Sequence, residues 1–249
     1  MGTKRSDFIY ENDVALGLLL DWLSQTNDPR RTGKTLVENT LVIFTSDNGA
    51  ENKRKSATGP LRSNKGSIYE GGHRVPFIAS WPLGQIGDGD ESTAGQSTDF
   101  PISHVDLFAT LAEITGVPLP HDGAEDSFSI LPALKNQAPK TRPPLFHNDH
   151  NEGARAAGVK PKMNEAAWIA IRVDDPTIDG RAFPGQWKLM LDHQLLHGGK
   201  VNVKELYDLR SDLREQTNRI DDPELALLVS RLSQQLKSIH DQGSIRVTK

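Results

Sequence analysis

The chain has 249 residues, 36% hydrophobic and 25% charged, a balance that supports a packed core and excludes wholesale disorder. Its 29 basic and 33 acidic side chains are interspersed and sum to a net charge of −4, so no basic stripe exists to neutralise a nucleic-acid backbone. Cysteine is absent, which excludes disulfides, thiolate metal sites and thiol nucleophiles, and no apolar run reaches the roughly 18 residues that a membrane-spanning helix needs.

The polar start, Met1 to Asp7, has no signal-peptide core, so nothing in the chain as it stands directs export. Asp13 to Ser24 carries Val14, Leu16, Leu18, Leu19, Leu20, Trp22 and Leu23, a spacing that predicts a largely buried helix, stopped by Asn27-Asp28-Pro29. Leu41 to Phe44 is a continuous apolar run and predicts a strand covered on both faces, in a parallel sheet. A polar, Gly- and Lys-rich loop covers Glu51 to Gly72, and Val75 to Trp81 predicts a second buried strand. Another glycine-rich loop follows, Gly84 to Thr98. Ser103 to Thr115 predicts a helix capped by Ser103, with an apolar face of Leu107, Phe108, Leu111 and Ile114 and a stop at Gly116.

Prolines and a change of composition at residues 138–144 mark a boundary, dividing the chain into residues 1–141 and a smaller unit, 142–249. In the latter, Trp168 to Val173, Trp187 to Leu191 and Val203 to Leu206 predict short antiparallel strands. The last helix is capped by Asp222, has Pro223 in its first turn, and presents Leu225, Leu228, Val229, Leu232, Leu236 and Ile239 on one face.

Asp47 and Asn48 follow the first predicted strand, at the carboxyl end where open α/β sheets bind ligands. One charged and one neutral oxygen donor suit Ca²⁺ or Mg²⁺ better than Zn²⁺. Alone, Asp47-Asn48-Gly49 reads first as an ordinary turn. Downstream come Gly59-Pro60-Leu61-Arg62, Lys65-Gly66 and Glu70-Gly71-Gly72 with Arg74 and Pro76. These blocks together are similar in order and spacing to the formylglycine-dependent, arylsulfatase-type sulfatases of the alkaline-phosphatase-like superfamily. Weaker agreement continues through Ser103-His104-Val105-Asp106-Leu107, Ala170-Ile171-Arg172, Trp187-Lys188-Leu189 and Glu205-Leu206-Tyr207-Asp208-Leu209.

The resemblance implies an α/β fold: residues 1–141 as the C-terminal part of an α/β/α sandwich with a mostly parallel sheet, and residues 142–249 as a small antiparallel-sheet-plus-helix subdomain. It implies that Asp47 and Asn48 bind Ca²⁺ and that Lys65 contacts the sulfate of an aryl or carbohydrate ester. Glu70 and Arg74 are expected to hold their loop by local hydrogen bonds. The family's nucleophile, a formylglycine made within Cys/Ser-x-Pro-Ser/Ala-Arg, has no counterpart here, since Ser80-Trp81-Pro82 continues as Leu83-Gly84. The remaining calcium carboxylates and the upstream catalytic Lys and His are also missing. We therefore expect the chain to begin midway through the domain, with Met1 an internal or artificial start, and to hydrolyse no sulfate ester by itself. The resemblance also implies that a full-length parent is exported to the periplasm or beyond.

Thr32-Gly33-Lys34-Thr35 fails as a phosphate-binding loop because Asp28 stands where its first glycine belongs. Lys53, Arg54 and Lys55 read as a solvated loop, and His193 and His197 as surface groups. His147 and His150, flanking Asp149, read as solvated sequence, with His147 retained as a candidate near the substrate. Rim segments Glu51 to Ser63 and Phe146 to Asn164 would choose between aryl and sugar alcohols. Two rivals are a metal-dependent phosphatase or phosphodiesterase of the same superfamily, disfavoured by Asn48 where those enzymes place a histidine, and a non-catalytic remnant that binds sulfated glycans. Oligomeric state is not encoded legibly.

Overall fold

The computed structural model describes residues 4–51, 58–90, 92–137, 142–149, 168–192 and 202–246. The backbone divides into two compact units, one drawn from residues 1–45, 76–99 and 132–138, the other from residues 46–75, 100–131 and 139–249. The boundary expected at residues 138–144 falls across residues 138–141, outside the described set.

In the first unit, helix α1 (Lys4–Gln25) begins nine residues before the predicted start and ends ahead of Asn27-Asp28-Pro29. It is not largely buried: Phe8, Ile9, Leu18, Leu19 and Trp22 are exposed, and Leu23 alone among its apolar residues is fully covered. Its apolar side chains point in every direction, and a helix hydrophobic all round needs cover on every side. Strand β1 (Val42–Thr45) pairs antiparallel with β2 (Phe77–Ser80), Val42 opposite Ser80 and Thr45 opposite Phe77. The parallel neighbour expected for β1 is not among the described residues. A run apolar on both faces records a demand for cover and carries no information on strand direction. Phe44 and Ile78 remain exposed on this pair.

In the second unit, a single helical turn, α2 (Glu70–His73), follows the lysine loop, and α3 (Asp106–Thr115) follows later. Gly116 ends α3 in the left-handed conformation at φ 69°, as its position predicted. The capping is reversed from expectation: Asp106 Oδ2 accepts from the amide of Ser103. The buried face of α3 is also different, because Asp106, Ala109 and Thr110 are covered while Phe108 and Leu111 are exposed. Asp106 is drawn in by Arg142, whose guanidinium meets it at 2.7 and 3.3 Å, and by the amide of Phe128. A bidentate buried pair can outweigh an apolar stripe in setting which face turns inward.

The main core lies against an antiparallel sheet, order β3 (Leu145–Asp149), β4 (Trp168–Asp174), β7 (Gln186–Asp192), β8 (Val203–Asp208). A small hairpin, β5 (Thr177–Ile178) with β6 (Arg181–Ala182), joins β4 to β7. Alternation along the strands sends Ile169, Ile171, Trp187, Leu189, Leu191 and Leu206 to one face, where Leu225, Leu228, Leu232 and Leu236 cover them. Those leucines belong to the final helix, α4 (Ala226–Gln242), and the turn before it. Asp222 accepts from the Glu224 amide at the entry to that turn, as the sequence predicted. The opposite face of the sheet carries Ala170, Met190 and Tyr207, packed with Ile68 and Tyr69 from the lysine loop. No helix among the described residues is long and apolar enough to cross a membrane.

Candidate functional site

The glycines of the two motif blocks bring Asp47-Asn48 and the lysine loop together. The Gly49 amide donates to Gly72 O at 2.9 Å, and a Cβ on Gly49 would lie 1.9 Å from Gly71 O. A Cβ on Gly71 would lie 2.4 Å from Arg62 O, and one on Gly72 2.0 Å from Ser67 O. Three backbone segments thus stack with no room for side chains. Two further bonds hold them, the Lys65 amide to Ala50 O at 3.0 Å and the Gly71 amide to Arg62 O at 2.8 Å. The lysine loop is thereby fixed beside Asp47-Asn48.

Asp47 is exposed and Asn48 half-buried. Asn48 Nδ2 donates to Gly49 O at 3.0 Å, which commits the nitrogen end of its amide and leaves the oxygen end for a cation. Ser46 Oγ donates to Asn48 O, bracing the same turn. Lys65 Nζ lies 3.8 Å from Glu51 Oε1, with both side chains about half exposed. A pair this long and wet is worth about 0–1 kcal/mol, so the ammonium is readily given up to an anion. These donors suit a hard cation and an oxyanion. They supply only part of a metal shell, since among the described residues no group of three acidic, His or Cys side chains could hold a metal ion.

Behind the loop lies a buried ionic node that the sequence reading did not assign. Lys188 Nζ, fully buried, donates to Glu70 Oε1 and to Glu215 Oε1, each at 2.9 Å. Glu215 Oε2 accepts from the Glu70 amide at 2.7 Å. Arg74 meets Glu70 Oε2 at 3.2 Å, the local bond expected of that pair. Burial opposes the charge on Glu70, but the Lys188, His73 and Arg172 side chains prevail and hold its carboxyl far below the usual range. Burial prevails at Glu215 and raises it. The signal was present in Trp187-Lys188-Leu189-Met190-Leu191: a period of two puts Lys188 on the same covered face as Met190.

Arg62 is the other unassigned residue. Its guanidinium lies 3.6 Å over the Tyr69 ring and donates to Tyr207 OH and to Glu215 O. Tyr69 and Tyr207 both donate to Glu205 Oε2, and burial together with that carboxylate pushes both hydroxyls well above their ordinary pKa.

His147 lies in β3, where its ring stacks on His73 with centroids 4.1 Å apart. Its Nε2 is buried without a hydrogen-bond partner among the described residues. Burial, then the neighbouring His73 and Lys188, hold His147 well below the usual histidine pKa. It therefore packs with the ionic node, while Asp47, Asn48 and Lys65 cluster through the backbone bonds above. His150, His193, His197, Lys53, Arg54 and Lys55 lie outside the described residues, as do residues 52–57 and 150–164 of the two rim segments and the side chain of Asp149.

Residues 3–117 match the family model described as Sulfatase. Human arylsulfatase A is 38% identical over 143 residues, 56% of this chain and 25% of that protein. The N-acetylgalactosamine-6-O-sulfatase of Bacteroides thetaiotaomicron is 29% identical over 252 aligned positions, covering 96% of this chain and 42% of that protein. A solved structure from the same bacterium, from a locus for glycosaminoglycan metabolism, superposes with a TM-score of 0.55 at 26% identity, covering 83% of this chain and 40% of that one. The chain thus spans well under half the length of these relatives. The matched family model, the continuation of the similarity beyond residue 117 and the shared fold agree, and the chain is similar to sulfatases over nearly its whole length.

Proposed function

We propose that this chain forms one wall of a sulfate-ester hydrolase acting on an aryl or carbohydrate sulfate. The observation that supports this reading is the pair of backbone bonds, Gly49 to Gly72 and Lys65 to Ala50, which join the backbone following Asp47-Asn48 to the lysine loop. Asp47 and Asn48 would contribute two ligands to a Ca²⁺ ion, which when bound neutralises sulfate oxygens. Lys65 would leave Glu51 for the sulfate and offset charge that builds on the leaving oxygen. His147, stacked on His73, is assigned a packing role in this reading. The formylglycine nucleophile would come from sequence outside these 249 residues, as would the other calcium carboxylates. Export of the whole protein is proposed on the family resemblance alone.

Titration of the chain with CaCl₂, followed at the Asn48 and Lys65 amides, tests the reading. A dissociation constant of about 10⁻³ M or weaker is expected for so few ligands, and Asp47→Ala should remove the response. An undiminished response in Asp47→Ala would overturn the metal assignment. Inorganic sulfate should shift the Lys65 signals in the wild type and leave Lys65→Met unmoved.

A further inference from the structure

We infer that Lys188 and Glu215 are positioning residues: through Glu70 and Arg62 they set the placement of the Asp47-Asn48-Lys65 wall, which none of their side chains touches. The inference rests on the reading of Asp47, Asn48 and Lys65 as ligand-binding residues. Glu215 joins two segments at once. Its carboxylate accepts from the Glu70 amide, at the start of the turn whose Gly72 carbonyl receives Gly49. Its backbone carbonyl accepts from Arg62 Nη1 at 2.9 Å, and the Arg62 carbonyl in turn receives the Gly71 amide. Lys188, rooted in the central strand β7, ties the carboxylates of Glu70 and Glu215 to the sheet.

Two features separate this arrangement from simple packing. Glu215 adopts φ 53°, a left-handed conformation that a bulky side chain takes only when its surroundings impose it, and it is buried while doing so. A buried ion cluster is also weak evidence for stability, because apolar replacements often match it, whereas fixed donors and acceptors specify a geometry. The node's hydrogen bonds reach the segments that carry the site: Glu215 accepts from the Glu70 amide, next in the chain to Gly71, and from the side chain of Arg62, whose own carbonyl receives the Gly71 amide.

The test is amide hydrogen exchange of the whole chain, read by NMR at Gly49, Lys65 and Gly71 against the strand amides of Ile171 and Leu189. Glu215→Ala keeps Lys188 paired with Glu70, and should speed exchange at the three loop amides at least tenfold relative to the two strand amides. Glu215→Gln retains an acceptor for the Glu70 amide, should show a smaller acceleration, and serves as the second variant if Glu215→Ala does not fold. Leu232→Ala, in the core on the other face of the sheet, should speed both groups alike. If Glu215→Ala or Glu215→Gln leaves the ratio of loop to strand exchange within twofold of wild type, or changes it as Leu232→Ala does, the inference is overturned. Exchange needs no calcium, so its outcome is independent of the CaCl₂ titration that judges the ligand reading.

Discussion

Gly49 and Gly72 share a 2.9 Å backbone hydrogen bond in a junction so close that a Cβ on Gly49 would enter Gly71 O at 1.9 Å. The obstacle is backbone, which cannot swing aside as the end of a flexible side chain can. Gly49→Ala should therefore destabilise the second unit by about 3 kcal/mol and weaken calcium binding beyond that loss. Urea denaturation with the CaCl₂ titration measures both.

The Asp106–Arg142 pair anchors the inward face of α3. Both side chains are buried, and Asp106 also accepts from the Ser103 and Phe128 amides. Arg142→Met leaves that carboxylate uncompensated and should cost about 3–5 kcal/mol. Asp106→Leu/Arg142→Met, which removes both charges, should recover part of the loss; denaturant midpoints compare the three chains.

Acid should weaken the fold through His73. Burial and the Lys188 ammonium beside it lower its pKa from 6.5 to about 4. Between those values the unfolded chain binds a proton that the folded chain refuses, so stability is full above the unfolded pKa and falls as pH drops toward 4. The slope from this one group is at most about 1.4 kcal/mol per pH unit. His73→Gln should flatten the stability curve in that window, as denaturation at pH 7, 5.5 and 4.5 would reveal.

The terminal helix offers a calibration of ordinary structural effects. Asp222→Ala removes the acceptor for the Glu224 amide and should cost about 1 kcal/mol. Leu232→Ala, in the core of the sheet and helix, should cost about 2–5 kcal/mol. Neither should alter the Lys65 environment once differences in stability are allowed for.

The chain by itself should turn over no aryl sulfate, with or without Ca²⁺. Measurable hydrolysis of 4-nitrophenyl sulfate by the pure chain would refute the assignment of the nucleophile to sequence outside it.

The sequence by itself determined the elements whose signals are local. Alternation in Trp168–Val173 and Trp187–Leu191, the Asp222-Pro223 start and the Gly116 stop each depend on a few neighbouring residues, and each appears where it was read. The order of the motif blocks likewise carried the resemblance to sulfatases. Tertiary structure decided the rest, because the deciding forces act between residues far apart in the chain. Arg142 pairs with Asp106 on the inward side while Phe108 stays outside, which shifts the covered face from the one that periodicity predicted. His147 stacks on His73, a contact that no local pattern announces. Asp47, Asn48 and Lys65 could be named from the sequence, but what holds them beside one another could not. That is set by glycine backbones packed closer than any side chain allows, and by Lys188 bridging Glu70 and Glu215 across 118 and 27 residues of chain.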